Sequence, residues 1–135
     1  MKALLALGLG ILCVVNVAGA QAPSEPTNEP AREAVAILRA VNTAQAELNA
    51  TAGGYGSVSK VLASSRFKKM FAGSVSEADS ATATVGKSTL VLVVSEDQKH
   101  YQAVITPPDT CGVTMFTNEI GMIYKGRALG CETQK

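Results

Sequence analysis

The sequence predicts an α+β domain in which one long N-terminal amphipathic helix packs on an antiparallel meander of about four strands. Three observations point there: an apolar rhythm of three and four residues over residues 30–51, β-branched runs between turn signals after residue 87, and no helical spacing between those runs. An alternating βαβ order would require that spacing to return.

The helix is the clearest element. Ala34, Ile37, Leu38, Val41, Ala44 and Leu48 fall on one face. Asn28 is placed to cap it, Pro30 suits the first turn, and Glu29 and Glu33 complement the positive end of the helix. Gly53-Gly54 supplies the stop, and the glycines of Gly53-Gly54-Tyr55-Gly56 are expected to adopt positive φ there. At about 1.5 Å per residue the helix is a rod of roughly 30 Å, which needs a surface to lie on.

After it, Val58, Val61, Leu62, Phe67, Met70 and Phe71 suggest one short helix or two helical turns between Ser57 and Phe71. Residues 72–87 are rich in Ser, Thr, Ala and Gly and read as a loop holding one weak strand, Ala81 to Val85. Four stronger strands follow: Ser88 to Val94, His100 to Thr106, Val113 to Thr117 and Gly121 to Lys125. The turns between them are Ser95 to Lys99, Pro107-Pro108-Asp109 and Asn118-Glu119. The period of two directs Tyr101, Ala103 and Ile105, or their alternates, toward the helix.

The 135 residues divide unevenly. Met1-Lys2 precedes a run from Ala3 to Ala20 whose only polar side chain is Asn16, and the run ends in the small-residue site Ala18-Gly19-Ala20. This is a secretory signal pattern, with cleavage expected between Ala20 and Gln21. Retention as an anchor is the alternative, since such a run approaches bilayer-spanning length. Residues 21–30 hold three prolines and form a linker, and residues 31–135 form the globular domain. Loss of Lys2 with the signal leaves 11 basic and 11 acidic residues, a neutral chain without the basic stripe that phosphate neutralisation needs.

Export bears on the cysteines. Cys13 leaves with the signal, and the bulky Leu12 before it argues against lipid attachment. Cys111 and Cys131 remain as a pair and are expected to form a disulfide in an oxidising compartment, contributing on the order of 3 kcal/mol. The absence of a Cys-x-x-Cys argues against reactive thiols.

No pattern carries catalysis. His100 is the single histidine, which excludes a multi-histidine metal site, and its place beside a charged turn suggests a solvated strand edge. The pairs Ser57-x-Ser59-Lys60 and Ser64-Ser65-Arg66 lack any oxyanion-hole signature. Glu96, Asp97 and Asp109 do not alternate as a calcium loop requires and read as turn residues. Arg66, Lys68 and Lys69 between Phe67 and Phe71 read as a solvated helix face with the rings packed inward. Asn49-Ala50-Thr51 matches a glycosylation sequon, but one placed on a helix end. No catalytic residue, metal ligand or cofactor is expected.

Ala34 to Leu48 followed by Gly53-Gly54-Tyr55-Gly56, together with Tyr101 to Pro107 and Met115 to Tyr124, resembles the globular part of type IV pilin-like proteins and of type II secretion pseudopilins. That family follows a long helix with a Gly-Tyr loop and often closes its C-terminal region with a disulfide, as Cys111 and Cys131 would. The family's N-terminal leader and membrane-embedded, filament-forming helix have no counterpart here, and Pro23, Pro26 and Pro30 stand where that helix would continue. The resemblance implies a pilin-like globular half without its polymerising half. The expected role is a non-enzymatic interaction or accessory protein, periplasmic or secreted, whose partners belong to a pilus or secretion system. Neither nucleic acid nor, after cleavage, membrane is expected as a partner. The alternatives are a membrane-tethered minor component of such a machine and a small secreted hydrolase or inhibitor.

Overall fold

The computed structural model describes residues 29–108 and 112–127. Helix α1 (Glu29–Ala52) is followed by two short helices, α2 (Val58–Ala63) and α3 (Ser65–Phe71). Six strands come next: β1 (Val75–Glu77), β2 (Thr82–Val85), β3 (Ser88–Val94), β4 (Tyr101–Thr106), β5 (Val113–Asn118) and β6 (Ile123–Arg127). They form one antiparallel sheet in chain order, β1 to β6, each strand pairing with the next.

The α+β order holds, but the sheet has six strands rather than about four. The additional pair comes from the stretch read mainly as loop. β1 is only Val75-Ser76-Glu77 and largely exposed, so it carries no apolar alternation and is held by its ladder with β2. In β2 only Ala83 and Val85 are buried, and alanine contributes little to a hydrophobic pattern. The middle region resolves into two helices because Ser64 is extended (φ −60°, ψ 143°) and accepts a hydrogen bond from the Phe67 N–H at 3.3 Å, ending one helix and capping the next. α1 begins at Glu29 and takes in Pro30 in its first turn. The proposed cap Asn28, the cleavage residues Ala20 and Gln21, and the disulfide partners Cys111 and Cys131 lie outside the described residues.

Of Gly53-Gly54-Tyr55-Gly56, Gly53 alone adopts positive φ (75°), closing the helix with its N–H on the Asn49 carbonyl at 3.0 Å. Gly56 is needed for a different reason: a Cβ there would lie 2.7 Å from Leu48 Cδ1. The loop thus passes against the end of the helix it has just left.

α1 lies over β4 and β5, α2 packs toward β1 and β3, and α3 packs against α1 and α2. Tyr101, Ala103 and Ile105 are the inward set of β4, as the period of two anticipates. Register aligns them with their neighbours: Ala83, Leu90, Ile105 and Met115 make one buried cross-strand row, and Leu92, Ala103 and Thr117 another. Ile37, Leu38 and Val41 of α1 meet these rows fully buried. Ala34, Ala40, Ala44 and Ala103 keep the layers close, because small side chains let backbones approach. Each buried Leu, Ile, Val or Phe contributes roughly 1.5–3 kcal/mol.

Candidate functional site

Two amide side chains on α1 fix what surrounds them. Gln45, with no exposed surface, donates from Nε2 to the Gly56 carbonyl and accepts the Gly56 N–H on Oε1, both at 2.8 Å. This pair of bonds satisfies a loop backbone that has no strand partner there. Asn42 braces the β5–β6 turn. Its Nδ2 donates to Thr117 Oγ1 and to the Gly121 carbonyl, each at 3.0 Å, and its Oδ1 accepts the Tyr101 hydroxyl at 2.9 Å. Thr117 in turn donates to the Met122 carbonyl at 2.8 Å, so the β5–β6 turn is tied to the helix through one connected network. Burial, followed by the nearby Tyr55 and Glu119, pushes the Tyr101 phenol up to about 12. The Tyr55 ring meets the Tyr101 ring edge-on at 4.7 Å.

The turn held in this way presents an unusual surface. Among the described residues six large apolar side chains are exposed, and four of them, Phe116, Ile120, Met122 and Tyr124, belong to the β5–β6 hairpin. Phe116 and Tyr124, cross-strand partners, stack at 5.1 Å on the face of the sheet away from α1. Register continues them into Val104 and Val91, giving an apolar row over four strands with no helix upon it among the described residues. A monomer gains nothing in its own core from such a row.

Among the described residues two concavities flank the hairpin. A shallow one of about 440 Å³ lies beside Val93, Gln102, Phe116 and Asn118, with His100 and Glu119 at its rim. There His100 Nδ1 sits 3.0 Å from Glu119 Oε1. The second, about 530 Å³, runs along the seam between α1 and β6 over Val35, Met115 and Ile123, with Arg39 and Lys125 beside it.

The residues weighed for catalysis are occupied elsewhere. His100, expected to open the second strand, is an exposed residue just before β4, and the nearby Ser95 hydroxyl donates to Asp97 at 2.6 Å, not to the imidazole. That bond, and then the Lys99 N–H, hold the Asp97 carboxyl below its usual range, as befits a turn residue. Ser59 donates to Glu77, and Ser64 is a helix cap. Phe67 is fully buried and Phe71 partly so, while Arg66, Lys68 and Lys69 face solvent. Asp109 lies outside the described residues. Among the described residues no three His, Cys, Asp or Glu side chains gather where a metal ion could be held, and no helix is long and apolar enough to cross a membrane.

Asn42 and Gln45 carry the local architecture, yet sequence reasoning passed over both. The available signal was two amides bordering the apolar stripe of α1, just before a glycine-rich stop. No protein-family model, curated protein or solved structure matches this chain.

Proposed function

We propose that the chain is an exported, non-enzymatic, pilin-like interaction domain that engages a protein of a pilus or secretion system through its β5–β6 hairpin. The observation that carries this reading is the gathering of four exposed apolar side chains on one hairpin braced by the Asn42 network. Exposed apolar surface is costly in water, and rigid placement lowers the entropy lost on binding. A long helix on an antiparallel sheet, ending in a hairpin bounded in sequence by two cysteines, is the arrangement the pilin resemblance implies. In an exported chain, a Cys111–Cys131 disulfide would further brace the strands between them.

Intact-mass analysis of the exported protein tests location: a chain starting at Gln21 and lighter by two hydrogens is expected, and a mass retaining residues 1–20 refutes the released form. Pull-down against purified pilus and secretion components tests the role. Capture should be lost in Met122→Ser/Tyr124→Ser while the thermal midpoint stays near that of the parent. Capture that survives this double change removes the hairpin from the proposal.

A further inference from the structure

The interaction reading above leaves open what the hairpin recognises, and the seam between α1 and β6 answers in chemical terms. β6 is the last strand of the sheet, so the N–H and C=O groups it directs away from β5 meet no strand among the described residues. Along this edge runs the 530 Å³ groove, its floor formed by Val35, Met115 and Ile123. Lys125 is the cross-strand partner of Met115, which places it on the helix side of the sheet, facing the groove instead of the open face. Arg39 reaches the same groove from α1. No carboxylate lines it, and among the described residues neither cation makes an ion pair. In a chain whose acidic and basic residues nearly balance, this is a local excess of positive charge on an apolar floor.

A seventh strand added to β6 would direct alternate side chains into this space. A second copy of the same edge is a poor occupant, since it would bring Lys125 toward Lys125 and Arg39 toward Arg39. We infer that the β6 edge and its groove accept an extended, acidic segment of a partner protein by strand addition, main-chain bonds supplying affinity and the two cations selecting carboxylates between small apolar side chains. The inference rests on the interaction reading only for the partner's source; the recognition chemistry belongs to this edge alone.

The probe is a blocked heptapeptide with threonine at its odd positions and Glu, Val, Glu at its even ones, titrated into isotope-labelled full-length protein. Amide shifts should concentrate on residues 123–127 and on α1 around Arg39. Replacing both peptide glutamates by lysine, or the protein's Arg39→Glu/Lys125→Glu, should weaken binding about 10-fold or more, and added salt should weaken it progressively. Backbone N-methylation on the edge facing β6 should abolish binding with the charges intact. Equal affinity for acidic and basic peptides, or shifts confined to the open sheet face, overturns the inference. So does amide-exchange protection of the outer β6 edge in the free protein, which would mean that residues 128–135 or a second copy already occupy it. Arg39→Glu/Lys125→Glu is checked by circular dichroism, and both positions are exposed enough to tolerate the change. If the peptide fails while export and pull-down succeed, only the edge assignment falls; if the peptide binds but no pilus or secretion component is captured, only the partner's source does.

Discussion

Replacing Gln45 by methionine keeps an unbranched side chain of similar length and removes both hydrogen bonds to Gly56. The site is fully buried, so water cannot replace them, and the Gly56 N–H and C=O are left without partners. A buried polar group left unsatisfied costs about 1–3 kcal/mol, and two such groups cost roughly 2–6 kcal/mol. The more apolar methionine side chain returns about 1 kcal/mol, so a net loss of about 1–5 kcal/mol is expected. For a domain near 100 residues this lowers the thermal midpoint by roughly 5–25 °C. Urea unfolding followed by far-ultraviolet circular dichroism measures it, with an unchanged m-value showing that the native state keeps its compactness. Gln45→Glu sharpens the test. A carboxylate can accept the Gly56 N–H but repels the Gly56 carbonyl, so the folded state favours the protonated acid and its pKa rises. The variant should therefore be most stable below about pH 4 and lose stability as pH rises toward neutrality. A loss under about 1 kcal/mol for Gln45→Met, or no pH dependence for Gln45→Glu, would refute the assignment of Gln45 as the anchor of this loop.

Other outcomes follow from the same geometry. Because the folded Tyr101 phenol is raised from 10.0 to about 12, its contribution is complete below pH 10 and lost as pH rises toward 12, by no more than about 3 kcal/mol. Phenolate absorbance should show a late-titrating step that Tyr101→Phe removes, and a folded protein without such a step contradicts the burial of Tyr101. Glu119 is held below its ordinary 4.5 by its own backbone N–H and then by His100, so its contribution is present above that value and lost as pH falls through the lowered one. Glu119→Gln should flatten part of the acid limb of a melting-temperature profile, and an unaltered limb argues that the pair contributes nothing. Cys111→Ser should remove a reduction-sensitive part of the stability, about 3 kcal/mol if the bridge is unstrained. No difference between the oxidised and reduced melting temperatures would show that the bridge is absent.

Long, strongly patterned elements were legible in the sequence. The apolar rhythm of α1 and the β-branched run of β3 each exceed what a turn or loop can accommodate, and Tyr101, Ala103 and Ile105 followed from a period of two. β1 and β2 were not legible as a pair, because a three-residue strand with one apolar side chain is held by backbone bonds to its neighbour, which leave no mark in side-chain hydropathy. The division of α2 from α3 turned on the φ/ψ of one residue, Ser64.

The candidate site divides the same way. Composition and the apolar N-terminal run place the expected working compartment, and the lone histidine narrows the chemistry, because these depend on which residues are present and not on where they lie. That Asn42 would meet Tyr101, Thr117 and Gly121, separated from it by 59, 75 and 79 positions, depends on how α1 crosses β4 and β5. The opposition of Arg39 and Lys125 across one groove has the same origin: the strand register turns Lys125 toward the helix, and a shift of one residue would turn it to the open face. Local sequence thus determined the elements through short-range periodicity, while tertiary structure decided which polar groups converge, because convergence requires the chain to have already packed its core.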